Sequence, residues 1–157
     1  MDDDVRAERC SVTQTAFRDT QEQSEEGDRI VPTAALFHGP DHEITDGAIG
    51  AYYYVYNEMG YGLQEPSYHR GLKVEFSFRG IPYRSQVPFS LFHRGVNIGD
   101  YRADLIVDER VIVECKAVEK LLPVHISQVR TYLKATGLKT GLLFNFGPTP
   151  DVRRVSR

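Results

Sequence analysis

The stretch Val111-Ile112-Val113-Glu114-Cys115-Lys116-Ala117 constrains this chain more than any other. Its apolar, β-branched make-up predicts a buried strand, and on a strand alternate side chains share a face. Ile112, Glu114 and Lys116 therefore point one way, and Val111, Val113, Cys115 and Ala117 the other. An isolated Glu-x-Lys is commonly a solvated ion pair, but a solvated face would hold more polar residues than this one. The preceding strand sharpens the reading. Tyr101–Val107 is joined to it by Asp108-Glu109-Arg110, and a turn of three unpaired residues sets Val107 opposite Val111 and Asp104 opposite Glu114. Directly opposed residues have Cβ atoms roughly 4.5–5.5 Å apart, a distance at which two carboxylates repel. A shared hard divalent cation, Mg²⁺ or Mn²⁺, resolves the conflict, because such ions seek carboxylate oxygens. Lys116 adds a cation able to offset charge on a phosphate or to orient an attacking water.

Around this hairpin the periodicities predict one α/β domain over residues 44–157. Ile44, Ala48, Tyr52, Val55 and Met59 recur at helical spacing and Gly60 stops the helix. Tyr68, Leu72 and Phe76 mark a second helix, with Pro66 in its first turn and Gly80 at its close. Tyr83–Val87 and Phe89–His93 read as two short strands, with Pro88 marking an edge or a bulge. Pro123 opens a helix through about Thr136, with Val124, Gln128 and Tyr132 on one stripe and Gly137 at its end. Gly141–Phe146 is a buried strand and Val152–Val155 a short final one. Helices first, then strands with one crossover helix, predict a central mixed sheet flanked by helices on both sides.

Residues 1–43 are different. They carry eleven carboxylates against four arginines, a net −7, so the remainder of this −3 chain is +4. Polar and without a sustained hydrophobic period, residues 1–29 are expected to be a flexible acidic tail, and the apolar patch Ile30–Phe37 either a docking segment or the mark of a misassigned start. A modestly basic domain is compatible with phosphate binding without demanding it. No apolar run is long enough to span a membrane. Cys10 and Cys115 are too few for a disulfide framework or a zinc site, and with the acidic start this makes a cytoplasmic setting the expectation.

Residues 44–157 resemble the GxxExxY proteins of the PD-(D/E)XK nuclease-like superfamily. The naming motif stands as Gly62-Leu63-Gln64-Glu65-Pro66-Ser67-Tyr68, the superfamily's acidic residue and (D/E)-x-K strand as Asp104 and Glu114-Cys115-Lys116, and a Q-xxx-Y motif as Gln128 and Tyr132. The resemblance implies a restriction-endonuclease-like core and Mg²⁺- or Mn²⁺-dependent hydrolysis of phosphodiesters, DNA being favoured over RNA. It implies that Asp104 and Glu114 hold the metal with the Cys115 carbonyl, that Glu65 is a third acidic ligand and that Lys116 is the catalytic lysine. Gln128 and Tyr132 would line the substrate face. Pro66 disfavours an α conformation at Glu65, which leaves a capping role for that carboxylate open beside the ligand role. The rival expectation is a catalytically weak module that binds nucleic acid or a partner protein. A homodimer or a substrate-recognising partner would then supply specificity.

Lesser features carry blander readings. Tyr52, Tyr53, Tyr54 and Tyr56 could stack on bases but are expected in the core and its margins. His69, His93 and His125 lack ligand spacing. Arg70, Lys73, Arg79, Arg84 and Arg94 could track phosphates, although solvated arginines are the commoner outcome.

Overall fold

A computed structural model of the chain describes Gly39 and residues 41–157. The acidic tail, the apolar patch and Cys10 lie outside the described residues. The elements run α1 (His42–Met59), α2 (Glu65–Phe78), β1 (Tyr83–His93), β2 (Val96–Val107), β3 (Val111–Lys116), α3 (Pro123–Thr136), β4 (Thr140–Asn145) and β5 (Asp151–Ser156). The first helix starts two residues before the expected Ile44. There Asp41 accepts a 2.8 Å bond from the Thr140 hydroxyl and pairs with Arg110. Among the described residues no helix is long and apolar enough to cross a membrane.

The strands form one mixed sheet in the order β1-β2-β3-β4-β5, with β3 and β4 parallel and every other neighbour antiparallel. Parallel neighbours need a crossover, and α3 supplies it. Two cores result. On one face α1 and α2 pack Tyr52, Val55, Tyr68, Leu72 and Phe76 against Val111, Val113, Cys115, Phe144 and Phe146. On the other, Val129, Tyr132 and Leu133 of α3 cover Ile106, Ile112, Leu143 and Val155. The alternation expected of β3 is therefore observed, and the sheet is flanked on both sides. The tyrosine cluster divides as the bland reading expects. Tyr52 and Tyr56 are buried, and Tyr54 is exposed beneath the Arg79 guanidinium.

The stripe of Val124, Gln128 and Tyr132 is partly exposed, Val124 to 64%, and the crossover helix packs through Val129, Tyr132 and Leu133. Val124 stands in the first turn, beyond the sheet's cover. One sequence expectation needs correction: the two short strands around Pro88 are one continuous strand. β1 is an edge strand, where a proline costs little, and the irregularity falls between Leu91 and Phe92 instead.

What divides β1 is a change of face. Tyr83 packs toward α1 and α2, yet Val87 and Phe89, of the same parity, pack toward α3. Between them Gln86 adopts φ 53°, a left-handed conformation that costs a non-glycine residue on the order of 1 kcal/mol. β2 does the same beside it: Leu105 and Val107 face α1 and α2, while Ala103 faces α3. Asp104 sits at that reversal. Residues 87–103 thus form an arm turned over relative to the sheet, closed by Arg94-Gly95, both at positive φ as a two-residue hairpin turn requires.

Gly141 shows how closely α3 is seated on the sheet, since a Cβ there would lie 2.5 Å from Val129 Cγ1. Gly141→Ala is expected to cost about 1–3 kcal/mol through overpacking. Val129→Ala should recover much of that cost in the double variant, and chemical denaturation measures the coupling. Strict additivity would show that the approach is looser than described.

Candidate active site

The register between β2 and β3 is the one counted from the turn: Val107 pairs with Val111, Ile106 with Ile112 and Leu105 with Val113. There the backbone ladder ends. The next pair, Asp104 and Glu114, does not continue it. The Asp104 amide donates to Glu114 Oε1 at 3.1 Å, and the Cys115 amide donates to Asp104 Oδ2 at 3.0 Å. Each carboxylate caps a backbone donor of the opposite strand. The two acids are brought together as expected, but in a crossed arrangement at a fork rather than face to face on a continuous ladder. The physical reason is the reversal of β2 at Asp104, which carries its backbone away from β3.

Glu114 is 3% exposed. Desolvation and the neighbouring Asp104 charge raise its pKa from 4.5 to about 8, against the pull of the Asp104 amide and Lys116. Cys115 points the other way into the core, where burial pushes its thiol well up. Its side chain is inert filling; its backbone belongs to the fork.

Glu65 is the first residue of α2, and the Gly62–Tyr68 segment shows how it is placed. Gly62 takes φ 103°, and the buried Tyr68 hydroxyl donates to the Gly60 carbonyl at 2.9 Å while accepting the Leu63 amide at 3.1 Å. The loop is pinned, and Glu65 opens the helix with Pro66 just inside its first turn. Gln64, not Glu65, is the N-cap residue, with extended backbone and no side-chain cap bond. Burial raises the Glu65 pKa, Lys116 opposes the shift, Asp104 adds to it, and the Ala117 amide bonds the carboxylate. Its side chain is therefore turned to the end of β3 and does not cap its own helix.

Lys116 ends β3 and is held by neighbours the sequence reading overlooked. The Phe146 amide donates to its carbonyl at 2.7 Å, and buried Asn145 clasps Val118 through both side-chain atoms at 3.1 and 2.9 Å. A signal was present: Asn145 is the one polar side chain in Leu142-Leu143-Phe144-Asn145-Phe146, and a buried polar group needs partners. Gln86, also missed, donates to Asp104 Oδ1 at 3.3 Å. On α3, Gln128 donates to the Tyr132 hydroxyl at 2.8 Å. Burial raises the Tyr132 pKa, and Glu114 and Asp104 add to the shift, so this pair lies on the α3 side of the acids. His69 meets the Asp104 carbonyl at 3.1 Å, and His125 Nδ1 accepts the Leu122 amide at the start of α3.

The donor set fits a hard divalent cation. Asp104, Glu114 and Glu65 would offer carboxylate oxygens, and the Glu114 carboxyl, raised first by burial and then by the Asp104 charge, would be eased by a bound cation. Among the described residues no three His, Cys, Asp or Glu side chains are gathered at ligand spacing. An ion such as Mg²⁺ held there would complete its shell with water and phosphate oxygens.

Comparison with known proteins gives the family. A family model described as "PD-(D/E)XK nuclease superfamily" matches residues 42–155. No curated protein matches the sequence. A solved structure titled "Crystal structure of SSO0001" is similar at 20% identity and a TM-score of 0.47, over 74% of this chain and 59% of that one. The chain thus spans 59% of the length of that structure, and at this level the likeness carries no argument.

A carboxylate whose folded-state pKa lies above its unfolded value binds its proton more tightly when folded. Its contribution is therefore present below about pH 4.5 and is lost as pH rises toward 8. In chelator, Glu114→Gln is expected to remove that slope and to melt roughly 3 °C or more above wild type at pH 8. Parallel melting curves for the two proteins from pH 5 to pH 8 would mean that Glu114 is not destabilised by its surroundings.

Proposed function

The chain belongs to the PD-(D/E)XK nuclease superfamily, and on that premise we propose that Asp104, Glu114 and Lys116 form the centre of a divalent-metal-dependent nuclease acting on DNA rather than RNA. The observation that supports this best is the fork itself. Two acids are cross-bonded where β2 leaves β3, one of them nearly dry, with a lysine at the end of the same strand. A structural ion pair has no need of a second acid beside the buried one, whereas a phosphoryl-transfer site does.

In this reading Asp104 and Glu114 hold Mg²⁺ or Mn²⁺, with Glu65 and the Cys115 carbonyl as further oxygen donors. Bound there, the ion would supply Lewis-acid activation of the phosphate and a more acidic water. The chain's own residues do the rest. The amides of Asp104 and Cys115 fix the carboxylates before substrate arrives, so little reorganisation remains for the reaction step. Lys116 presents its ammonium to the developing charge on the phosphate. Asn145 and Phe146 hold the strand end on which it is mounted. Tyr132, oriented by Gln128, faces the acids from α3 and would position the substrate. The pinned Gly62–Tyr68 loop supports placing the chain among the GxxExxY proteins, because each of the three motif positions has a distinct structural task. A second copy or a recognising partner would supply sequence or structure selectivity.

Labelled DNA substrates cut by wild type in Mg²⁺ or Mn²⁺ and spared in chelator are the expected result. Lys116→Ala should slow cutting on the order of 100-fold or more while preserving the metal's effect on melting temperature. A folded wild type that cuts nothing and melts identically with Mg²⁺ or chelator would favour the catalytically inactive binding module instead.

A further inference from the structure

Beside the fork lies a cleft of about 440 Å³ between α2 and the first half of β1, lined among others by Glu65, His69, Arg70, Lys73, Gln86 and Asp104. Its chemistry is divided. One end is the acidic fork; the other is a pair of cations on consecutive turns of α2. The sequence offers five basic side chains as phosphate contacts, and the fold sorts them. Arg84 is held in a bidentate pair with Glu109, both bonds 2.6 Å. Arg79 is held by Glu75 and covers Tyr54. Arg94 stands in the turn at the tip of the arm. Arg70 and Lys73 line the cleft, and neither meets a carboxylate within ion-pair distance among the described residues. Lys73 is half-buried, so water compensates its charge only in part.

We infer that this cleft is the channel for one strand of the nucleic-acid backbone, with Arg70 and Lys73 binding phosphates that flank the scissile one. The inference rests on the nuclease reading above and adds the path of its substrate. Eight residues separate Glu65 from Lys73, an axial distance of about 12 Å on a helix. A nucleic-acid strand advances about 3.4 Å per nucleotide along its axis, so the cations lie a few nucleotides beyond the cut. The two ends have separate tasks. The acids repel phosphate until a cation is bound, and the basic end supplies affinity that needs no metal and reads no sequence. Gln86, on the wall between them, touches Asp104, which makes the channel continuous with the fork.

The test is fluorescence anisotropy with a labelled DNA oligonucleotide, single-stranded and as duplex, titrated in chelator over a series of salt concentrations. Three proteins are compared: wild type, the double variant Arg70→Gln/Lys73→Gln, and Arg84→Gln/Arg153→Gln. The last removes the same charge from residues already paired with Glu109 and Asp151. The cleft variant is expected to bind about tenfold more weakly at low salt, with a salt slope shallower by roughly 1.4–1.8, and the control variant to match wild type. Equal loss in both variants would mean diffuse charge and would overturn the inference, as would unaltered binding by the cleft variant or no binding by wild type. Cleavage by wild type in Mg²⁺ is read separately. Metal-dependent cutting with an unaltered salt slope defeats the channel alone; a lowered slope without cutting by wild type defeats the nuclease reading alone.

Discussion

Glu114 is a carboxylate placed where water scarcely reaches it, and much of the surrounding architecture answers to that placement. A buried charge needs hydrogen bonds and opposite charge nearby or it gives way to the neutral form. Here it receives one amide from β2 and a lysine two residues on, and it is opposed by a second acid. The compensation is deliberately incomplete in a physical sense: more acid than base converges on the end of β3. An ordinary structural pair would be settled by its partner. In the proposed reading a bound cation would settle this one, and the imbalance lies at the end of the sheet rather than in its middle.

The supporting structure reaches that point from three directions. Asn145, at the end of β4, clasps the chain after Lys116 and also accepts the Tyr52 hydroxyl on its carbonyl, tying α1 to the site. Tyr68 stacks on Phe146 at 4.3 Å in the core while its hydroxyl pins the loop that delivers Glu65. On the other face Tyr132 packs edge-on against Phe89 of the arm. Core packing and site geometry are thus the same set of contacts, which is how a domain this small holds several polar groups in fixed relation.

Much of this was legible in the sequence because it depended on local rules. The helix ends at Gly60 and Gly137, the three-residue turn that sets Val107 against Val111, and the alternation along β3 all follow from backbone preferences and a period of two. What failed depended on tertiary context. Pro88 suggested a broken strand because a proline is visible, while the event that matters occurs at Gln86, a residue type with no strong signature for positive φ. Pro66 left Glu65 open between capping and reaching into the cleft. The difference is decided by Tyr68 and the Gly62 loop, which aim the side chain at Lys116 and Ala117 from a distance the local sequence does not encode.

The reversal at Gln86 and Asp104 has a practical corollary for anyone rebuilding this protein. Inside and outside cannot be counted along β1 or β2 with a single parity. Toward α3, β2 presents even-numbered Ile106 within the sheet, whereas odd-numbered Val87, Phe89 and Ala103 face it from the arm. A library that randomises outward positions by strict alternation from the sheet would, in the arm, fall on Val87, Phe89 and Ala103, the residues that pack toward α3. The sound scheme treats residues 87–103 as a separate cassette with its own frame, and leaves the two residues at the seam untouched.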